Sequence, residues 1–446
     1  MMKTGNFRRV RFLAATALGL VSATGIAHNA HASGFGLREG AADWMGNAFV
    51  GGEAKAYDAS TAWTNPAGMA LLDQSQFSGN VSYIGPSAKF TGRNTNPLYP
   101  ALRAYGAPEY LSGGNGGNAV SPAASGAMFA VFVLNPDWRL GFSITNPYGE
   151  RTSYSRNWVG RYQSLVSSIT AVDFSAALSY KVNDHLSLGA GPVVEYFHAR
   201  LTQGLNTPAL VLQQTDGQYF NPLLGDSAAD IHGSDVAVGY NIGVLYKFDN
   251  ATRLGLDYHS RIRHDISGTE AINSPVPIMN TTVSARTSVT LPDSLGVSLY
   301  HQVTPAWALM GSVQWTHWAL FNSLHVTPAA GTSTVINENW RNSWFAGVGT
   351  NYQVNDRLML QAGFSFDESP VTDSNRTPRV PDANHYDLGI GAHYKITPAT
   401  TFELAYAHVF TPGGSVNSSA NAAAGTLIGN YDASDNSVTA GVNVVF

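Results

Sequence analysis

Apolar and polar residues alternate with a period of two in many segments of the chain. In residues 170–182 the even positions are mostly apolar, whereas the odd positions include Asp173, Ser175 and Ser179. The same alternation recurs in residues 236–248, 254–266 and 386–396. Because successive side chains of a β-strand point to opposite faces, each segment predicts a strand with one apolar and one polar side.

Fourteen such strands are predicted between residues 74 and 446. Tight turns such as Asn183-Asp184 and Asp249-Asn250 alternate with longer loops. An even number of strands with short turns on one side and long loops on the other is typical of an outer-membrane β-barrel. The sequence therefore predicts an all-β membrane protein: a 14-stranded antiparallel transmembrane barrel over residues 73–446.

A soluble β-sandwich would give the same alternation, so further observations are needed to separate the two folds. The polar faces carry charges in strand after strand, as a wet lumen allows. Tyrosines lie near predicted strand ends, where an interfacial girdle is expected: Tyr180, Tyr246, Tyr300, Tyr352 and Tyr394. Charged residues are 12% of the chain, against a typical ~25%. These features favour the membrane barrel.

Residues 1–32 predict a cleaved signal peptide, with a basic start, the apolar run Phe12–Ala27 and a cleavage site at Ala30-His31-Ala32. Of the 25 lysines and arginines, four lie in this leader, so 21 remain against 30 acidic residues. That balance argues against nucleic acid as a partner. The chain has no cysteine, which excludes disulfides and thiolate metal sites.

Residues 33–72 fit neither helix nor strand and are rich in glycine and alanine. We expect this segment to be a hatch that plugs the barrel lumen. At the other end of the chain, Val442, Val444 and Phe446 share one strand face. A terminal aromatic residue in this setting predicts recognition by the barrel-assembly machinery, and outer-membrane lipid is the expected surrounding.

Several short motifs, in order along the chain, resemble those of the FadL/TodX family of outer-membrane transporters for hydrophobic compounds. They are Ser33-Gly34-Phe35, Asn65-Pro66-Ala67-Gly68-Met69, Asn146-Pro147-Tyr148-Gly149, Trp158-Val159-Gly160-Arg161-Tyr162, Leu291-Pro292-Asp293-Ser294-Leu295, Trp315-Thr316-His317-Trp318 and Arg379-Val380-Pro381-Asp382. The resemblance implies a monomeric barrel with a lumen hatch. It implies passive uptake of fatty acids or hydrocarbons, without cofactor, metal or nucleotide.

In this family, ligand is thought to pass from the outer loops to a lumen pocket and to leave sideways at a kinked third strand. Here the predicted third strand ends in Asn146, Pro147, Tyr148 and Gly149. Proline removes a ladder hydrogen bond and glycine adds backbone freedom, so this stretch predicts a kink in the wall. The alternative is that Pro147 begins the following loop.

The predicted loops after strands five and seven are unusually apolar for outer loops. Their apolar residues include Leu205, Leu210, Leu212, Phe220, Leu223, Ile272, Ile278 and Met279. Exposed apolar patches often mark binding sites, and a buried methylene contributes ~0.8 kcal/mol. These residues predict a capture site, although they also suit loops that pack against each other.

A buried fatty-acid carboxylate would need a cation or several donors. Reading the polar strand faces as the lumen places His198, Arg200, Arg261 and Arg263 inward. Arg200, near the outer end of its strand, is the first candidate for a carboxylate clamp. Pairing of each arginine with a lumen aspartate is the alternative.

The hatch should be fixed to the wall by the turn Asn65-Pro66-Ala67, because asparagine before proline favours a fixed, non-helical conformation. The resemblance implies that Ser33, Gly34 and Phe35 reach the ligand pocket. A same-family aromatic-hydrocarbon channel and an outer-membrane lipid hydrolase are the competing functions. No nucleophile elbow or H-E-x-x-H spacing supports the hydrolase.

Overall fold

The computed structural model describes residues 34–103, 106–330, 333–419 and 424–446. The predicted leader and Ser33 lie outside these residues. The helices are α1 Ala42–Met45, α2 Gly52–Lys55, α3 Thr61–Thr64, α4 Tyr99–Leu102 and α5 Thr207–Gln214, with 3₁₀ turns at Pro66–Leu71, Pro277–Met279 and Trp318–Leu320. Among the described residues, no helix is long and apolar enough to cross a membrane.

The strands are β1 Gln76–Asn94, β2 Ala123–Val133, β3 Trp138–Thr145, β4 Gly149–Ser153, β5 Val166–Lys181, β6 Leu186–Leu205, β7 Ser227–Lys247, β8 Thr252–His259, β9 Ile262–Asn273, β10 Thr281–Leu291, β11 Ser294–Thr304, β12 Trp307–Thr316, β13 Ser323–Pro328, β14 Thr334–Asn337, β15 Ser343–Gln353, β16 Leu358–Asp367, β17 His385–Thr397, β18 Thr400–Phe410, β19 Gly414–Ser418 and β20 Leu427–Val445. Several barrel strands consist of two consecutive segments: β3–β4, β8–β9, β10–β11, β12–β13, β14–β15 and β18–β19.

Together these segments form a closed, antiparallel barrel of 14 strands, which confirms the predicted fold. The first and last strands close it, because β1 pairs with β20 from Gln76 opposite Val445 to Asn94 opposite Leu427. Closure leaves the barrel no free edge in lipid. Phe446 donates its backbone N–H to Ser75 O at 2.9 Å, so the end of the chain lies beside the start of β1.

The outer face of the wall is apolar where the ladder is regular. Val236, Val238 and Tyr240 of β7 are exposed, whereas Asn241 is buried in the lumen. Four of the predicted girdle tyrosines are also exposed: Tyr180, Tyr246, Tyr352 and Tyr394. The fifth prediction was wrong, since Tyr300 is buried and its hydroxyl lies 2.9 Å from that of Tyr57.

Tyr300 faces inward because the alternation shifts by one residue inside its barrel strand. Leu291 of β10 and Ser294 of β11 both face the lumen, so Pro292 and Asp293 between them form an irregularity. A shift of one residue turns every following side chain to the other face. The neighbouring barrel strand shifts in the same way between His259 of β8 and Ile262 of β9.

The hatch, residues 34–72, packs against inward-facing glycines of the wall. A Cβ on Gly243 of β7 would lie 2.0 Å from Asn65 Oδ1, and one on Gly363 of β16 would lie 2.0 Å from Asn47 O. Inside the hatch, Lys55 Nζ pairs with Asp43 Oδ2 at 3.0 Å, and both side chains are buried. The backbone of the hatch therefore approaches the wall closely and is held by buried polar contacts.

Candidate functional site

The third barrel strand is interrupted at Asn146–Tyr148, between β3 and β4. Strand β2 pairs with β3 only as far as Met128 opposite Ile144. Beyond the interruption, β4 pairs with β5 and not with β2. Asn146 Nδ2 donates to Ala171 O at 3.1 Å, and Ala171 N donates to Tyr148 O at 2.9 Å. The stretch is thus a bend within the wall, after which the strand resumes at Gly149.

The N-terminal end of the hatch bridges this bend. Leu37 N donates to Pro147 O at 2.8 Å, and Gly149 N donates to Phe35 O at 2.9 Å. Gly34, with a φ of +66°, donates its N–H to Asp382 Oδ2 at 2.9 Å. A side chain on Gly34 would be strained at this φ and would meet Trp340. Hatch and bend are therefore joined by backbone hydrogen bonds.

The Asn65-Pro66-Ala67 turn holds the other end of the hatch. Asn65 Nδ2 donates to Glu53 O at 2.6 Å and to Val244 O at 3.1 Å, and Asn65 Oδ1 accepts from Ala67 N at 3.0 Å. Pro66 begins the 3₁₀ turn, and Ala67 O accepts from Ser179 Oγ at 3.4 Å. The turn is thus hydrogen-bonded to β5 and β7, and it also packs against Gly189 of β6.

An apolar cavity lies in the lumen against the inner faces of β5, β6, β7, β9 and β10. Its lining is mainly aliphatic and aromatic and includes Phe35, Phe197, Ala199, Leu201, Ile266, Val289, Phe321 and Val380. The Phe35 ring is buried and lies edge-on to Trp318, with centroids 4.8 Å apart. This lining suits a hydrophobic ligand, since small-molecule sites are usually concave and mostly apolar.

The charged part of this lining includes Glu338 and Arg379, both in loops and both buried. Arg379 donates to uncharged partners, Gln203 Oε1 at 2.8 Å and Ser167 Oγ at 3.4 Å. Burial lowers the pKa of Arg379 to about 10, opposed by Glu338, so the guanidinium stays charged at neutral pH. Burial raises the pKa of Glu338 to about 7, opposed by Arg379. Arg379 can therefore hold an anion when Glu338 is neutral.

A second cavity, which we call the polar cavity, lies between the hatch and the wall and has more polar groups in its lining. Gly36 and Leu37 line it, next to Phe35 of the apolar cavity. Its buried wall carboxyl groups are Asp173, Glu195 and Asp257. Pro147 and Tyr148 of the bend also line it, so this cavity reaches the interruption in the third barrel strand.

The prediction that His198 and Arg200 face the lumen was wrong. They share the outer face of β6 with exposed Val194 and Tyr196, while Phe197 and Ala199 line the apolar cavity. Arg200 Nη2 pairs with Asp230 Oδ2 at 2.6 Å on that outer face. At this level of β6 the inner face is apolar because it lines the cavity. The charged residues of the strand therefore lie on the outer face, opposite to the prediction.

Arg263 and Arg261 were also misplaced. Arg263 points outward and pairs with Asp265 at 3.3 Å, because the shift between β8 and β9 turns the alternation over. Arg261 lies within that irregularity and is half-exposed, with Nη2 3.1 Å from Asp293 Oδ1. Neither residue lines the two cavities.

The predicted capture residues lie in the outer loops and at nearby strand ends. Leu223 and Ile278 are almost fully exposed, at 91% and 93%. Phe220 is exposed, and the remaining residues are half-buried: Leu205, Leu210, Leu212, Ile272 and Met279. None of these eight residues lines either cavity. They form an apolar outer surface that is separate from the lumen sites.

Comparison with known proteins identifies the family. The family model described as outer membrane protein transport protein (OMPP1/FadL/TodX) matches residues 23–446. The chain belongs to this family. Members of the OMPP1/FadL/TodX family are transporters rather than enzymes, and this member is a Gram-negative outer-membrane barrel.

Relatives within the family include outer membrane protein P1 of Haemophilus influenzae, 28% identical over 400 residues, which cover 86% of this chain and 87% of that protein. The long-chain fatty acid transport protein of Escherichia coli K12 is 26% identical over 411 residues, covering 86% of this chain and 89% of that protein.

Among solved structures, a Pseudomonas aeruginosa FadL homologue superposes with a TM-score of 0.83 at 25% identity, covering 93% of this chain and all of that chain. The Pseudomonas putida toluene transporter TodX has a TM-score of 0.66 at 17% identity, covering 87% and 94% of the two chains. The likeness to TodX shows the shared fold.

Sequence reasoning missed the charged residues of the apolar cavity. Arg379 lies in the motif Arg379-Val380-Pro381-Asp382, which supported the family resemblance without suggesting a ligand contact. Glu338 follows β14 in a loop that folds back onto the lumen. The signal available for Arg379 was a basic residue inside a family motif. For Glu338, the sequence pattern offered no signal.

Proposed function

We propose that this protein takes up long-chain fatty acids, or similar hydrophobic molecules, passively across the outer membrane. The observation that carries the proposal is the apolar cavity with one buried arginine, Arg379, in its lining. An acyl chain gains ~0.8 kcal/mol per methylene buried there. The guanidinium supplies the charge-assisted hydrogen bonds that a carboxylate needs in such a site.

The route begins at the exposed apolar surface that includes Leu223 and Ile278, where ligand is captured. It continues to the apolar cavity and then to the polar cavity beneath Phe35. Release is sideways at Asn146–Gly149, where the ladder between β2 and the third barrel strand is interrupted. The hatch segment 35–37 gates this exit, because its backbone hydrogen bonds bridge the bend.

The fatty-acid carrier of Escherichia coli among the relatives supports this choice of cargo. Aromatic hydrocarbon uptake is the alternative, since most of the cavity lining is apolar and suits an uncharged ligand. The two cargoes differ in one requirement: a fatty acid uses Arg379, and a hydrocarbon does not. A lipid hydrolase is disfavoured by the transporter character of the family.

Binding of oleate, methyl oleate and toluene to the protein in nanodiscs tests the proposal. Arg379→Gln should weaken oleate binding about tenfold, as expected for a lost hydrogen bond to a charged group. Methyl oleate should be unaffected. Arg200→Gln is the matched control, because Arg200 lies on the outer face, and it should bind oleate like wild type.

Equal oleate binding by wild type and Arg379→Gln would refute the carboxylate site. Toluene binding that oleate does not displace would favour the hydrocarbon channel.

A further inference from the structure

The barrel wall has a second interruption, between β7 and the β8–β9 strand. The ladder joins Ser234 to Ser267 on one side and resumes at Asn241 opposite His259. Between these pairs, residues 235–240 of β7 face residues 260–266 of the β8–β9 strand. In this stretch the β8–β9 strand therefore has one residue more than β7. We call this stretch the seam. Within it, no residue of β7 has a ladder partner in β8 or β9.

Hydrogen bonds hold the two ends of the seam. Ser260 N donates to Tyr240 O at 2.9 Å, and Tyr240 N donates to Ser260 Oγ at 2.9 Å. At the other end, Asp235 Oδ2 accepts from Asp265 N at 3.1 Å and lies 3.1 Å from His264 Nδ1. At the ends of the seam, the Asp235 carboxylate and the Ser260 hydroxyl thus accept hydrogen bonds that backbone carbonyls accept in a regular ladder.

Side chains fill the middle of the seam. Gly239 packs against Ile262, because a Cβ on Gly239 would lie 2.7 Å from Ile262 Cγ1. His264 is fully buried, and its Nε2 lies 2.8 Å from Glu195 Oε1 on the neighbouring strand β6. The wall is therefore closed here by one isoleucine and a buried histidine rather than by a continuous ladder.

The seam separates the polar cavity from the lipid-facing outside of the barrel wall. Tyr240, Ser260 and Ile262 line the cavity, although Tyr240 belongs to the outer face of β7. On the outside, Val236 and Val238 are 60% and 66% exposed. Unpaired backbone at membrane depth is tolerated only where it is buried in protein or lines a wet space. The polar cavity behind the seam supplies such a space.

We propose that the seam is a second lateral passage, through which hydrophobic molecules exchange between the polar cavity and the surrounding lipid. The hydrophobic nature of the cargo rests on the proposed function. The closing elements differ from those at Asn146–Gly149, where the hatch backbone bridges the bend. At the seam, Asp235, Ile262 and His264 belong to the wall, so the passage opens without movement of the hatch.

Reversible cross-linking tests the passage, since the chain has no cysteine of its own. Val238→Cys with Arg263→Cys places two outward-facing thiols across the seam, where a short bifunctional thiol reagent can join them. The matched control is Val194→Cys with Val238→Cys, which are ladder partners on the outer face of β6 and β7. Initial uptake of labelled oleate is measured in cells before and after reduction of the cross-link.

Cross-linking the seam should lower uptake by about half, as expected when one of two parallel gates closes, and reductant should restore it. The ladder control should be unaffected. Unchanged uptake after complete cross-linking of the seam would overturn the second passage, while uptake by wild type in the same cells would leave the proposed function standing.

A second measurement reports the seam even if oleate is not the cargo. A lipid-dissolved maleimide is reacted with Ser260→Cys, with and without Ile262→Ala. Removing the isoleucine should speed labelling about tenfold, because a buried side chain that resists local opening is lost. Ser312→Cys, buried behind the intact ladder of β11 and β12, is the control and should not respond. Equal labelling with and without Ile262 would overturn the passage.

Discussion

The two cavities of the lumen meet at Phe35 and differ in what they offer a ligand. The apolar cavity is lined mainly by aliphatic and aromatic side chains, with Glu338 and Arg379 among its few charged groups. The polar cavity is lined by Asp173, Glu195 and Asp257 as well as by hatch residues. An acyl chain gains free energy in the first and must displace water from carboxyl groups in the second.

This difference between the cavities fits the proposed passive uptake, which requires both binding and release of the ligand. A conducting path needs a site favourable enough to be occupied and a following site weak enough to be left. The proposed function places strong binding in the apolar cavity and weak binding in the polar cavity, which reaches both interruptions of the wall.

Filling the apolar cavity should weaken ligand binding most. In Ala199→Trp the indole would occupy the space of the acyl chain, and we expect about a 100-fold loss of oleate affinity. Val194→Trp, on the lipid-facing side of the same strand, is the control and should bind normally. Displacement of a fluorescent fatty acid measures both variants. Normal binding by Ala199→Trp would place the ligand elsewhere.

Removing the partition between the cavities should have the next largest effect. Phe35→Ala deletes a buried ring that contacts Tyr148, Trp318, Phe321 and Trp340. Phe35 also forms part of the apolar lining, so an acyl chain would bury less area without it and oleate affinity should fall about tenfold. Ion conductance in planar bilayers should rise as water joins the cavities.

Phe35→Leu keeps most of the bulk and should be intermediate in both measurements. If Phe35→Ala left binding and conductance unchanged, the cavities would already be continuous.

Oleate binding should depend on pH through Glu338. Burial raises the pKa of Glu338 to about 7 from 4.5, so the carboxyl group is neutral below that pH and ionised above it. Ionised Glu338 competes with the ligand carboxylate for Arg379. Affinity should therefore fall about threefold between pH 6 and pH 8, and Glu338→Gln should remove this dependence. The same slope in Glu338→Gln would exclude Glu338 as the titrating group.

The smallest effect is expected in the polar cavity. Asp257→Asn removes a carboxylate whose Oδ2 lies 2.7 Å from His259 Nε2. Oleate affinity should stay within about twofold of wild type, well under the tenfold that 1.4 kcal/mol represents. A large loss of equilibrium affinity in Asp257→Asn would mean that strong binding is not confined to the apolar cavity.

The alternation of side chains predicted the barrel and the faces of its regular strands. It placed Asp173 and Asp257 inward, where the structure has them. It failed after Ser260–Arg261 and Pro292–Asp293, because an irregular residue reverses the alternation without leaving a clear local signature. Arg263 and Tyr300 were assigned to the wrong face for this reason.

The candidate site was less predictable than the fold, for two physical reasons. On β6 the assumption that polar residues face the lumen was inverted, because the lumen contains an apolar cavity at that level. Arg379 and Glu338 belong to loops, and a period-two pattern says nothing about how a loop folds back into a barrel. The Asn65-Pro66-Ala67 turn and the Asn146–Gly149 stretch could be selected from sequence, and Phe35 could be selected through the family resemblance.

The closure of β1 on β20 has a consequence for assembly. Gln76 and Val445 are neighbours in the ladder although nearly the whole barrel lies between them in sequence. Contacts of such long sequence separation form slowly. The hatch ends a few residues before β1 and packs against glycines on the inner face of the wall. Because it lies inside the barrel that this pairing closes, we expect the hatch to be in place when the terminal strands join, so that the pore is occupied as soon as it forms.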